Sequence, residues 1–377
     1  MMGKKIGIVC YPTVGGSGVV ATELGIQLAE QQYEVHFIST TMPFRLKRLY
    51  PNIYFHEVEV SNYPVFKNPP YDLALASKIA EVIDREELDI IHAHYAVPHA
   101  ICSIFAKQMA KRDVKIVTTL HGTDITILGI DDNLKHMICY AIDQSDQVTA
   151  VSNSLRKQTE ESFHIQKPIK VVYNFIEPVK DTALTQEDLK DKFEIKDHEK
   201  VLIHISNFRQ VKRVEDVIRV FDQVTKQVDA KLLLVGDGPE HTKIRDLVNE
   251  LDLNDQVLFL GRQDNIHDLL NISDLKLLLS EKESFGLVLL EAMISGVPCI
   301  GTDIGGIPEV IADGKNGFIC EVGNIEQISR KAIHLLSDDS LWNQFSKYAK
   351  TYAYENFNSN LIVRQYETIY NEVLDRN

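Results

Sequence analysis

The chain has 377 residues, 44% of them hydrophobic, with 54 acidic against 40 basic side chains and a net charge of −14. That length supports two domains, each with its own core, and the acidic balance argues against a general affinity for nucleic acid or an anionic membrane. Five scattered cysteines (Cys10, Cys102, Cys139, Cys299 and Cys320) form no C-x-x-C pair; they read as buried thiols of a cytoplasmic protein and suggest neither a disulfide framework nor a zinc site. The apolar run after Lys4 and Lys5 breaks at Pro12, too early for a signal peptide, and no later run approaches a membrane span.

In chain order, Lys4 to Tyr11 reads as a strand, Pro12 to Gly18 as a glycine-rich turn and Val19 to Gln31 as a helix. Strands recur at Val35–Thr40, Ile53–Val60, Asp89–His94, Lys115–His121, Gln147–Ser152 and Lys170–Asn174. Helical patterns over Tyr71–Arg85, Ala100–Lys111, Asn133–Ile142 and Ser154–Phe163 separate most of them. Such alternation builds a parallel sheet covered on both faces. Between Glu177 and Lys200 the pattern lapses into a charged linker with Pro178 and a short helix. It restarts with strands at Val201–Ser206, Lys231–Gly236, Gln256–Gly261, Asp274–Ser280, Pro298–Thr302 and Gly317–Glu321. The expected fold class is therefore α/β, with two Rossmann-like doubly wound parallel-sheet domains facing a cleft. Residues 1–172 form the first domain and 173–359 the second, while 360–377 return as a helix onto the first. Ligands of open α/β sheets bind at the C-terminal ends of strands, so function is sought in the loops that follow them.

Gly15-Gly16-Ser17-Gly18 follows the first strand, and its glycines let backbone amides approach an anion. The register Gly16-x-Gly18-x-x-Ala21 also fits a dinucleotide fingerprint, but the second strand ends in Ser39-Thr40-Thr41, without the acid that would hold a ribose. His92 and His94 share one face of a strand, and no neighbouring carboxylate or cysteine completes a metal site, so they read, with His99, as satisfied core or cleft histidines. Tyr95, just beyond that strand, is expected to face the cleft. His121, ending the next strand before Gly122, can donate to a sugar hydroxyl or support developing charge. Ser206 to Arg213 clusters basic residues at another strand end, where they can neutralise a diphosphate leaving group. Arg45, Lys47 and Arg48 read as an exposed basic segment.

The most informative stretch is Glu283-Ser-Phe-Gly-Leu-Val-Leu-Leu-Glu291, two acids around the start of an apolar helix expected to begin at Phe285. Free amides of Phe285, Gly286 and Leu287 at a helix N-terminus hold an anion, while carboxylates on either side accept hydrogen bonds from sugar hydroxyls. A nucleotide-sugar has that layout.

These pieces, in this order, resemble the retaining glycosyltransferases of family 4, with the two-domain GT-B architecture, a group that includes sucrose synthase, glycogen synthase and mannosyltransferases. The resemblance covers essentially the whole chain, and its most specific motif is E-x7-E at Glu283 and Glu291. It implies that Glu283 contacts the donor sugar, that Glu291 contacts the nucleotide ribose, and that amides of Phe285, Gly286 and Leu287 hold the diphosphate. It assigns Lys212 to the phosphate and His121 to the sugar. An arginine usual in the group five residues before the lysine is here Asn207, and Arg209 lies out of register; either Arg209 swings in or Asn207 bonds the phosphate without charge. More narrowly, Cys10 to Gly18, His92 to His99 and Thr119 to Asp124 are similar to the branch that begins bacillithiol biosynthesis in low-GC Gram-positive bacteria. That likeness implies UDP-N-acetylglucosamine as donor and L-malate as acceptor. Ser17, Tyr95, Thr119 and Asn153 are the expected acceptor-binding donors, and His121, Lys212 and Glu283 the expected catalytic set. No metal or other cofactor, no nucleic acid and no stable membrane association are expected, and a homo-oligomer is open. Alternatives are a related transferase with a lipid or glycan acceptor, a UDP-N-acetylglucosamine epimerase, and a non-catalytic nucleotide-sugar sensor.

Overall fold

A computed structural model describes residues 4–12, 15–46, 48–60, 68–177 and 185–376. Thr13, Val14, Lys47 and Pro178, which figured in the sequence reading, lie outside the described residues. The chain divides into two compact units: Met1–Asn174 with Ser359–Asn377, and Phe175–Asn358.

Among the described residues the first unit holds seven strands: β1 (Lys5–Val9), β2 (Glu34–Ser39), β3 (Ile53–Glu57), β4 (Ile90–His94), β5 (Lys115–Leu120), β6 (Gln147–Ala150) and β7 (Ile169–Val171). They pair in the order β3-β2-β1-β4-β5-β6-β7, parallel throughout. The second holds β8 (Lys200–Ile205), β9 (Ala230–Val235), β10 (Val257–Gly261), β11 (Leu275–Leu278), β12 (Cys299–Thr302) and β13 (Gly317–Cys320). Their order is β10-β9-β8-β11-β12-β13, again parallel. Parallel neighbours need a crossover, and the helices that supply it cover both faces of each sheet. Central strands are consequently apolar without alternation: Leu232, Leu233, Leu234 and Val235 are all buried. The covering helices are one-sided. Val214–Thr225 buries Val214, Val217, Ile218, Phe221 and Val224, a stripe at helical spacing that packs into the core of the second unit.

The Ser359–Asp375 helix belongs to the first unit, where Tyr366 and Tyr370 are fully buried. Each ring contributes roughly 2–3 kcal/mol by burial, and their hydroxyls reach the polar layer on β4 and β5 described below.

Two local expectations are corrected. The helix expected from Phe285 begins at Leu287, because Gly286 takes φ 91, a left-handed conformation that stops the helix from extending backwards. The first-turn amides without an intrahelical acceptor are thus those of Gly286, Leu287 and Val288, one residue further on than expected. Conversely, the helix expected from Val19 already starts at Gly16, with Gly15 as its cap. In both sheets the strand order reverses once, between β1 and β4 and between β8 and β11. The loops leaving these four strands carry most of the expected site.

Candidate active site

In the first unit β1 leads through Gly15 into a helix whose second residue is Ser17. A Cβ on Gly16 would meet nothing within 4 Å, so a ligand can approach the backbone there. β4 ends at His94, and Tyr95 adopts φ 90, which costs a non-glycine residue about 1–3 kcal/mol. The surroundings hold it there. Tyr95 N donates to Thr119 O at 2.9 Å, and Tyr95 Oη donates to Ser17 Oγ at 2.7 Å, across the first reversal of strand order. Asp124 adds a clasp, accepting Ala96 N on one oxygen (3.1 Å) and Gly122 N on the other (2.9 Å), so that one buried carboxylate ties the loops after β4 and β5 together. Burial pushes its pKa up to about 6, with the amide donors working against that rise.

His121 lies in the second of those loops. Its ring centroid is 5.2 Å from that of Tyr95, and its Nε2 is 2.8 Å from His94 Nδ1. Beneath, His92 stacks on His94 at 4.5 Å, and its two nitrogens lie 2.7 Å from Tyr370 Oη and from Thr119 Oγ1. Desolvation lowers the pKa of His92 and of His121 to about 3, so both are neutral imidazoles. Thr119 corrects an expectation: its hydroxyl is fully buried, 2.7 Å from Thr149 Oγ1 as well as from His92, and supports the histidine layer instead of facing a ligand. Asn153 is partly exposed and donates to Tyr173 Oη at 2.9 Å, away from the Ser17–Tyr95 pair in hydrogen-bonding terms. Arg45 pairs with Glu23 at 3.2 Å.

The second unit repeats the device. His204 Nδ1 donates to Leu277 O at 3.0 Å, which leaves Nε2 to accept the Ser206 hydroxyl at 2.8 Å. That fixes the turn after β8, and the turn after β9 braces it: a Cβ on Gly236 would lie 1.8 Å from Ser206 O, and one on Gly238 1.9 Å from Asn207 O. The segment then delivers Lys212, whose Nζ donates to Glu283 Oε2 at 2.6 Å, across the second reversal of strand order. Glu281 N donates to Val211 O at 2.9 Å, joining the same two loops through the backbone. Arg213 turns to Asp216 (2.6 Å) and Glu281 (3.4 Å). Asn207 and Arg209 are both exposed; Arg209 O accepts Lys212 N at 2.8 Å, and among the described residues neither side chain bonds the Lys212–Glu283 pair. Glu291, 4% exposed, sits within the helix that follows Glu283.

Residues that the sequence reading did not single out complete this half. Gly305, at φ 58, lies so close under Glu283 that a Cβ would stand 1.8 Å from Glu283 O, and Gly306 N donates to that oxygen at 3.0 Å. Their signal was available: a glycine pair just beyond a strand. Lys276 is the other. It lies fully buried on β11 opposite Cys299, and its Nζ has no hydrogen-bond partner among the described residues. Burial lowers its pKa to about 7. A lone cation in an apolar strand was its signal in the sequence.

The pairing of a cation, a carboxylate and helix-terminal amides at a sheet reversal suits a ligand with a phosphate and hydroxyls. Solved structures that match this fold include glycosyltransferases. One from Rickettsia africae ESF-5 matches with a TM-score of 0.84 and 25% identity over 100% of both chains. The Anabaena protein HepE, solved in complex with UDP and glucose, matches with a TM-score of 0.83 and 19% identity over 97% of this chain and 99% of its own. The architecture is GT-B. Residues 14–180 match the profile of Glycosyltransferase Family 4 and residues 185–352 that of Glycosyl transferases group 1. The chain belongs to this glycosyltransferase family and is a transferase. It is 59% identical, over 99% of its length and 98% of the relative's, to N-acetyl-alpha-D-glucosaminyl L-malate synthase of Bacillus anthracis.

Proposed function

We propose that this enzyme transfers N-acetylglucosamine from UDP-N-acetylglucosamine to the hydroxyl of L-malate, with retention at the anomeric carbon. The observation that carries this reading is the 59% identity to the Bacillus anthracis synthase over nearly the full length of both chains. In this reading Lys212 and the amides of Gly286, Leu287 and Val288 neutralise the departing diphosphate, Glu283 accepts from a sugar hydroxyl, and Glu291 accepts from the ribose. His121 bonds the sugar, and Ser17 and Tyr95 bond the acceptor. The bond from the anomeric carbon to phosphate breaks, the malate hydroxyl oxygen bonds to that carbon on the same face, and its proton passes to the leaving phosphate oxygen. Fixed cation and backbone dipoles do the electrostatic work, and no metal is required.

Two further features support a small dissolved acceptor. No described helix is long and apolar enough to cross a membrane, and the exposed Gly16 backbone leaves room beside Ser17 for a carboxylate. We place the reaction in the cytoplasm, where nucleotide-sugars and malate are both at hand. The test is a mass-spectrometric product assay with L-malate as sole acceptor, repeated with a chelator, followed by NMR assignment of the anomeric configuration. An α-linked glucosaminyl malate formed at the same rate with chelator is expected; no malate adduct would overturn the reading.

A further inference from the structure

His94 has no place in the chemistry above, yet it is fully buried beside a residue that does. The centroids of His94 and His121 lie 5.1 Å apart with 24° between ring planes, while Nδ1 of the first is 2.8 Å from Nε2 of the second. That centroid separation is what two imidazoles have when the N···N line runs through both rings, so this is a directed, in-plane hydrogen bond and not a stacking contact. Both rings are neutral, and one nitrogen therefore carries the shared proton.

The remaining nitrogens decide which one. If His121 Nε2 donated, His94 would carry its own proton on Nε2, an atom buried without any partner. If His94 Nδ1 donates, that buried Nε2 is a bare acceptor. Orphaned buried N–H groups are the rarer case in folded proteins. The same cluster accepts a bare nitrogen elsewhere: His99 Nδ1 must donate to His94 O at 2.5 Å, which leaves His99 Nε2 buried, unprotonated and unpartnered. The backbone carbonyl of His94 is held by that bond, and its ring by stacking on His92. Among the described residues His121 Nδ1 has no hydrogen-bond partner, and it is not one of the buried unpartnered atoms, so it is the nitrogen that meets solvent or ligand.

We infer that His94 is a positioning residue for His121: it donates from Nδ1 to His121 Nε2 and so fixes His121 as the Nδ1–H tautomer, whose outward nitrogen is a hydrogen-bond donor. His121 then acts on an acceptor oxygen of the donor sugar and cannot serve as a general base at that atom. The inference deepens the proposed function and rests on its placing of His121 against the sugar.

Histidine-selective 15N labelling tests the tautomer without any turnover, with the His121 signals assigned by their loss in His121→Gln. The expected spectrum has a protonated Nδ1 and an unprotonated Nε2 at His121; the opposite pattern would overturn the inference. Kinetics test the consequence. In His94→Phe, which keeps a ring but cannot donate, kcat falls about tenfold or more while KM for the acceptor stays within about twofold. In His94→Asn, whose side-chain amide can occupy the Nδ1 position, most of the rate returns and the tautomer pattern is kept. Equal losses in the two variants, or an unchanged His121 pattern with full rate in His94→Phe, would sink the idea. Should malate prove not to be the acceptor, the spectrum still reads the tautomer, so the two failures are separable.

Discussion

Lys212 Nζ and Glu283 Oε2, 71 positions apart in sequence, meet at 2.6 Å over the point where the strand order of the second sheet reverses. Tyr95 Oη and Ser17 Oγ, 78 positions apart, meet at 2.7 Å over the corresponding point of the first sheet. In each unit a side-chain hydrogen bond links the two loops that diverge at the reversal, where an open α/β sheet leaves a crevice.

Because Lys212 and Glu283 share one bond, they should act as a unit. Lys212→Ala and Glu283→Gln are each expected to lower kcat by roughly 100-fold or more, and the double variant to be little worse than the poorer single one. Steady-state kinetics on the four proteins checks this; fully multiplicative losses would show that the two residues work independently.

Gly305 sets the height of Glu283. At φ 58 a side chain is strained, and its Cβ would stand 1.8 Å from Glu283 O, so Gly305→Ala must displace the loop. Gly314, at φ 73 with nothing within 4 Å, is the control: Gly314→Ala carries the backbone strain alone, about 1 kcal/mol. A rate loss in Gly305→Ala well beyond that of Gly314→Ala is expected, measured as kcat beside thermal melting; equal losses would remove the packing argument.

Lys276 bears on stability more than on rate. Its folded pKa, about 7, lies below the ordinary lysine value, so the unfolded chain binds the extra proton between pH 7 and 10.5 and stability rises with pH across that window. Below pH 7 the full burial cost is present. Lys276→Met should therefore raise the melting temperature at pH 7 by an amount worth a few kcal/mol, with a smaller gain at pH 10. A lower melting temperature in Lys276→Met at pH 7 would mean that the ammonium is paired in solution.

Acid should weaken the fold through buried imidazoles. Burial lowers His92, His121 and His204 to about 3 and His99 to about 4, so each stabilising contribution is whole above pH 6.5 and is lost as pH falls towards the folded values. Asp124 acts oppositely: raised to about 6, it favours the folded state below that pH, and its contribution fades as pH rises from about 4 to 6. At about 1.4 kcal/mol per pH unit for each group, four imidazoles outweigh one carboxyl. Melting temperature should drop steadily from pH 6.5 to 4.5 and rise only slightly from 6.5 to 7.5, where Lys276 begins to lose its proton, as scanning calorimetry would record.

On the acceptor side, Ser17→Ala and Tyr95→Phe each delete one end of the 2.7 Å bond without altering the ring of Tyr95. A several-fold rise in KM for malate is expected, with donor affinity by calorimetry unchanged within about twofold. A loss confined to donor affinity would reassign both residues.

Much of this site was legible as positions along a chain. Strand ends followed by glycine, histidine or basic residues pointed to Gly15, Gly16, His121 and Lys212, and the acid pair at Glu283 and Glu291 marked the helix between them. Thr119, an expected acceptor-binding donor, is an exception: its hydroxyl lies against His92 and Tyr366 of the Ser359–Asp375 helix, a non-local contact that a place near a strand end does not announce. The helix start was expected at Phe285 because apolar periodicity runs through Gly286 as if its φ were ordinary.

By itself, then, the sequence determined the alternation of strand and helix and the two units, because these follow from local periodicity, and it marked the strand ends whose residue chemistry suits an anion. Only the tertiary structure decided which strand ends are neighbours. β1 lies beside β4, and β8 beside β11, through crossovers whose partners are far away in the chain. That non-local order brings Ser17 to Tyr95 and Lys212 to Glu283, and it aligns His94 with His121 closely enough to choose a tautomer.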